Sequence, residues 1–192
     1  MRKNNLYFLY RSAILLVVLC LLCVSCISLG GLYCGYNQLS DEQKQQVKVL
    51  ETFIENIVAD GNIYLVTHEQ VAAFIKTHED VLIYEYTPWC SAENCANPHE
   101  VAKLCKERGS AFLLISTTLE DFSDLLKLKL PTFAINHHAY QTNVRSKYLR
   151  KFYDTLTGIP EKERGLGSYY LFRNGQFVQA YKNFRDAFDL NQ

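Results

Sequence analysis

Four short apolar runs, at 63–66, 81–86, 111–116 and 131–135, alternate with stretches whose apolar residues recur at helical spacing. This alternation restricts the fold more than any other feature of the chain. Strand-length runs separated by helices imply parallel neighbours joined by crossovers, with helices covering the sheet faces. The helix starts are well marked. Thr67 can cap a helix that turns Val71, Phe74 and Ile75 inward. Asn97 offers a cap, Pro98 suits the first turn and Glu100 completes a capping-box-like start for a helix burying Val101, Leu104 and Cys105, closed by Gly109. Leu119, Phe122, Leu125 and Leu126 predict a third helix. Val144, Tyr148, Phe152 and Leu156 step by four along a fourth, closed by Gly158. Its other faces carry Arg145, Lys147, Arg150 and Lys151, a solvated face or, as the sharper alternative, a partner or lipid-headgroup surface.

Strands at 169–172 and 177–181 flank Arg173-Asn174-Gly175-Gln176, and Asn-Gly there predicts a hairpin. A short helix from Asn183 ends the pattern. Ahead of the first run, Ser40 is a plausible cap, and Val47, Leu50, Ile54, Ile57 and Val58 predict an amphipathic helix over 40–58, broken at Asp60-Gly61-Asn62. The expected fold is therefore α/β: a mixed sheet flanked by helices, with an extra N-terminal helix and a helical insertion before the terminal hairpin.

The first forty residues follow another logic. Residues 12–40 carry no charge, and Arg2, Lys3 and Arg11 precede an unbroken apolar stretch at 13–24. That is the pattern of a secretory signal, with export as the expected orientation. Twelve helical residues reach about 18 Å, short of a hydrocarbon core of roughly 30 Å. Leu21-Leu22-Cys23-Val24-Ser25-Cys26 resembles a bacterial lipoprotein signal, with cleavage after Ser25 and lipid on Cys26. An uncleaved signal anchor and ordinary cleavage are the alternatives. The chain then divides into a signal segment at 1–26, a tether at 27–39 and one domain at 40–192. With 48% hydrophobic residues the chain is not disordered, and a net charge of zero argues against nucleic acid as partner. Of seven cysteines, Cys90, Cys95 and Cys105 belong to the domain, which suggests one pair and one buried thiol.

The stretch from Ile63 to Cys95, and above all Pro88-Trp89-Cys90 at the end of an apolar strand, resembles the opening of a thioredoxin-fold domain. The resemblance extends over about 130 residues to the terminal hairpin and implies a thioredoxin-like sheet. It also implies that Cys90 and Cys95 are a redox-active pair and that Trp89 and Pro131 position substrate. A thiol at a helix start is acidified by unpaired N–H groups and the helix dipole. Four residues separate the cysteines where the family has two, and Glu93 stands at the usual partner's position. Tyr84 replaces the family's buried acid, and Glu85, one position on, should face the other way. The family's cis-proline opens the strand before the hairpin. Leu130-Pro131-Thr132 matches it locally, whereas Gly167-Ser168 directly precedes the hairpin. Either 137–167 is an insertion after the proline strand, which is the favoured reading, or the true loop lacks proline.

The expected function is a membrane-anchored, exported thiol–disulfide oxidoreductase of the cell envelope. It would act on disulfides of envelope proteins through Cys90 and Cys95, with a redox partner to reset the pair and no dissociable cofactor. The alternatives are a non-catalytic thioredoxin-fold binding module with a structural disulfide, and a structural envelope protein. Cys90, Cys95 and His99 lack a fourth ligand, so no metal site is expected. Cys105 reads as a buried apolar residue and His137-His138 as a polar turn.

Overall fold

The computed structural model describes residues 31–90 and 95–189. The signal segment with Cys26, the first residues of the tether, and Glu93 with its neighbours lie outside them. Among the described residues seven strands form one mixed sheet: β1 (Val47–Val49), β2 (Ile63–Val66), β3 (Asp80–Tyr86), β4 (Ala111–Ser116), β5 (Thr132–Ile135), β6 (Tyr169–Arg173) and β7 (Gln176–Tyr181). Their spatial order is β1-β2-β5-β4-β3-β6-β7. The first five are mutually parallel, and the β6–β7 hairpin adds antiparallel to β3. The helices are α1 (Asp41–Gln45), α2 (His68–Lys76), α3 (Pro98–Glu107), α4 (Phe122–Lys127), α5 (Arg145–Thr157), α6 (Glu161–Arg164) and α7 (Asp186–Asp189). The fold is thus a mixed α/β sheet flanked by helices, compatible with a thioredoxin-like arrangement. The segment between β5 and the hairpin is helical, as expected.

Alternation along β3 shows how the sheet divides the core. Val81 and Ile83 join Phe152, Tyr153, Phe74 and Ile75 beneath α2 and α5. Leu82 and Tyr84 join Val101, Cys105 and Phe188 beneath α3 and α7. A third cluster packs Leu119, Phe122 and Leu125 of the α4 region on Ile63 and Leu65. All four residues of β5 are buried, as an interior parallel strand requires. The hairpin turn carries Asn174 and Gly175 at φ 49° and 78°, the pair of positive values a two-residue hairpin favours.

The expected helix over 40–58 is corrected. Ser40 does cap a helix, through a capping box with Gln43, but α1 stops at Gln45. Val47-Lys48-Val49 then zips in parallel onto Ile63-Tyr64-Leu65 and becomes the edge strand β1. Leu50 N donates to Leu65 O at 3.0 Å. Leu50 and Ile54 are buried as a helix would also bury them, but Val58 is 68% exposed. The spacing fits either element, and the backbone partners offered by β2 decide between them.

Gly31–Leu39, read as tether, is seated on the domain. Cys34 N donates to Asn143 O at 2.9 Å, Leu119 N donates to Cys34 O at 2.7 Å, and Cys34 and Leu39 are buried. Gly35, at φ 79°, comes so close to Glu120 that an added Cβ would lie 2.5 Å from its backbone nitrogen. Gly109, at φ 73°, has open space around it. Gly109→Ala should therefore cost only the left-handed strain, about 1–2 kcal/mol, and Gly35→Ala measurably more. Urea unfolding of the two variants checks this; equal losses would show that the seat at Gly35 contributes nothing.

Candidate functional site

Strand β3 ends at Tyr86, and the chain turns at once: Cys90 N donates to Thr87 O at 3.0 Å. Cys90 and Cys95 form a disulfide with their Cα atoms 5.9 Å apart, and both are partly exposed. Two residues beyond Cys95, Asn97 caps α3 by accepting from His99 N at 3.0 Å, with Pro98 in the first turn. The sulfur pair therefore lies between the C-terminal end of a central strand and the start of a ten-residue helix. Free N–H groups and the dipole there favour a thiolate. Trp89, 41% exposed, lies beside the pair in sequence.

Two tyrosines hold the backbone just after Cys95. Tyr84 Oη donates to Ala96 O and Ala96 N donates to Tyr169 Oη, both at 3.1 Å. The two residues are register partners across β3 and β6, and their rings stack at 4.5 Å. Burial pushes the Tyr84 phenol well above its ordinary range, with Tyr169 adding to the shift. The place of an ionisable acid is thus taken by a neutral hydroxyl. Glu85 faces the other side of the sheet, as alternation requires, where Tyr170 Oη donates to Glu85 Oε2 at 2.9 Å. Burial raises the Glu85 carboxyl, against the Tyr170 hydrogen bond and the charges of Arg145 and Arg164.

Arg145 is the residue that sequence reasoning passed over as one of a solvated set. Its guanidinium lies 5.5 Å from the Trp89 ring centroid, and its Nη2 donates to Thr87 Oγ1 at 3.0 Å. Thr87 Oγ1 in turn lies 3.0 Å from Thr117 Oγ1 at the end of β4. Nothing in the local pattern separates Arg145 from Lys147 or Arg150; only the docking of the α5 start against the β3 end does so.

Pro131 is not brought to the site. It is exposed, opens β5, and among the described residues no peptide is cis. Strand β5 pairs with β2 and β4, so β4 stands between it and β3. The segment beside β3 is Gly167-Ser168: Glu85 N donates to Ser168 O at 2.8 Å and Ser168 N donates to Tyr181 O at 3.0 Å. A Cβ on Gly167 would lie 2.5 Å from Tyr181 O, so this crossing is tight. The loop that precedes the hairpin strand therefore lacks proline, and the favoured placement of Pro131 opposite the cysteines is corrected. The match was local, and burial on both faces drew residues 132–135 into the sheet interior.

The remaining residues singled out earlier lie elsewhere. Cys105 is fully buried on α3, and burial pushes its thiol up to about 12. Cys34 is also buried and its thiol raised, chiefly by burial. His137 is buried in the turn after β5, its ring 4.0 Å from that of His138, and burial followed by the His138 charge lowers it to about 4. Among the described residues no group of three or more His, Cys, Asp or Glu is placed to hold a metal ion. Comparison of the chain with protein-family models, with curated proteins and with solved structures returned no match in any of the three.

Because the thiolate is the reactive form, Cys34 and Cys105 should resist iodoacetamide at pH 8 in the folded protein and react on denaturation. Peptide mapping after labelling checks this; rapid native labelling of Cys105 would mean that its helix face opens to solvent.

Proposed function

We propose that the chain is an exported, membrane-anchored thiol–disulfide oxidoreductase of the cell envelope, working through Cys90 and Cys95. The observation that carries this reading is the partly exposed Cys90–Cys95 disulfide between the end of β3 and the capped start of α3, beside exposed Trp89. In the reducing direction the Cys90 thiolate attacks a substrate disulfide. A Cys90–substrate disulfide forms, the substrate's own S–S bond breaks, and one substrate thiolate leaves. The Cys95 thiolate then attacks the Cys90 sulfur, closing the Cys90–Cys95 bond and releasing the second substrate thiolate. Two electrons have passed to the substrate, which takes up two protons from water. An envelope dithiol partner resets the pair by the same exchange, and the oxidising direction is the reverse. No dissociable cofactor enters.

Trp89, next to Cys90 in the chain and under the Arg145 guanidinium, offers exposed apolar surface on which a substrate segment can lie. The neutral Tyr84 hydroxyl gives no carboxylate to relay protons to Cys95, so exchange rates should follow the thiolate fraction of the attacking cysteine alone. A binding module that keeps the scaffold without turnover is the second reading. The absence of proline before β6 and the tyrosine in the acid's place favour it. Anchoring is assigned to lipid on Cys26, and two acyl chains are enough for stable residence.

Replacing Cys95 by Ser should trap envelope proteins on Cys90 as mixed disulfides, visible as reducible adducts on gels. Replacing Cys90 should abolish both adducts and turnover. The reverse pattern would exchange the two roles. If neither variant traps anything, and the wild-type pair leaves a test disulfide and a test dithiol unchanged, the binding module stands instead. Separately, Cys26→Ala should block lipid labelling and leave an unprocessed precursor, and undiminished labelling would refute lipidation at Cys26.

A further inference from the structure

We infer that the disulfide-bearing face of the domain lies against the membrane that holds the anchor. Its substrates are then thiols and disulfides displayed at a bilayer surface, on membrane-embedded or lipid-attached proteins. Both the orientation and the substrate class rest on the anchoring reading above, and the substrate class on the redox reading as well; three further observations carry the orientation.

The first is where the chain enters the domain. Gly31 N donates to Glu120 Oε2 at 2.8 Å, and Arg145 N donates to Leu32 O at 2.9 Å. Tyr33 bridges to Val144. A Cβ placed on Gly31 would come within 3.2 Å of the Trp89 indole and 3.6 Å of the Arg145 guanidinium. The domain thus begins in contact with the residue that precedes Cys90.

The second is reach. Five residue steps separate Cys26 from Gly31, which covalent geometry limits to about 18 Å. A domain of this length is roughly 40 Å across, so the tether is too short to let the far side of the domain face the bilayer. In the signal-anchor reading the apolar run leads to the same Gly31, and the argument is unchanged.

The third is the chemistry of the surface. Leu32 and Tyr33, which follow Gly31, and Trp89, which Gly31 approaches, are 48%, 47% and 41% exposed. Next to them the first turn of α5 presents Arg145 and exposed Lys147. The nearby carboxylate of Glu120 is occupied by Gly31 N. Tryptophan and tyrosine suit the headgroup level, where an apolar ring and a polar edge are both satisfied. Lysine and arginine suit anionic headgroups. A protein partner could use the apolar residues, but it would have to fit between the sulfurs and a membrane already held within the tether's reach.

Trp89 is the only tryptophan of the chain, so its emission reports this face alone. The full-length lipidated protein is reconstituted in phosphatidylethanolamine–phosphatidylglycerol vesicles whose acyl chains carry bromine near the headgroup. Emission should move to the blue and fall to about half of that in unbrominated vesicles, as for a ring at headgroup level. A 20-residue Gly-Ser spacer placed between Gly30 and Gly31, combined with Leu32→Ser and Tyr33→Ser, should restore it. Unquenched emission from vesicle-bound wild-type protein overturns the orientation, whereas a protein that does not stay on vesicles removes the anchoring reading, and the orientation with it. The substrate class is read separately. A disulfide peptide linked to a vesicle lipid should be exchanged about tenfold or more faster than the same peptide in solution, because confinement raises its effective concentration. Equal rates overturn the substrate class. Exchange with neither peptide removes the redox reading, and the substrate class with it, while the quenching result still decides the orientation.

Discussion

Everything at the site depends on the pairing of β3 on both edges. Residues 81–86 pair with β4 in parallel and 80–84 pair with β6 in antiparallel register. Val81, Leu82, Ile83 and Tyr84 are all buried, with successive side chains serving opposite layers of the core. A strand fixed on two edges and two faces has no freedom to slip, since a one-residue shift would exchange both sets of side chains. Where its ladder ends, at Tyr86, the chain must leave the sheet. The turn at Thr87 then presents Trp89 and Cys90 at a defined point.

The return of the chain is held by neutral hydrogen bonds. Tyr84 and Tyr169 grip both polar groups of Ala96, so the backbone after Cys95 is tied to the same two strands that position Cys90. A carboxylate at this depth would need a partner to remain charged. A phenol needs only its hydrogen bond. The hold on the Ala96 backbone is thereby separated from any proton relay, and Glu85, half-buried on the opposite face with Tyr170, cannot substitute for it across the sheet.

The stretch at 31–39 runs beside the site. Its backbone bonds to Leu119, Asn143 and Arg145 place it along the ends of β4 and α5, and its first residue rests on Trp89. The contacts combine these backbone pairs with side-chain bonds from Glu120, Thr118 and Arg145, and Cys34 and Leu39 are buried. Gly31 and Gly35 both sit at positive φ; an added Cβ would lie 2.5 Å from Glu120 N at Gly35 and would crowd the Trp89 ring at 3.2 Å at Gly31.

Much of this was legible in the residues themselves. Strands, the capped start of α3, the Asn-Gly hairpin and the opposite facing of Tyr84 and Glu85 follow from period, capping chemistry and alternation, which are local properties. The nearness of Cys90 and Cys95 to a helix start is local too. Other features were not legible because they are settled between segments far apart in the chain. Val47-Lys48-Val49 fits a helix or a strand until β2 offers its edge. Pro131 has the right neighbours for a substrate loop, yet β5 pairs beyond β4, and Gly167-Ser168 takes the place beside β3. Arg145 is one cation among several until α5 docks its first turn on Thr87 and Trp89. The sequence by itself determined most of the elements, their order and the nearness of the two cysteines to a helix start. Only the tertiary structure decided which strand lies beside the pair and which side chains surround it, because strand neighbours are selected by burial and backbone pairing over long separations.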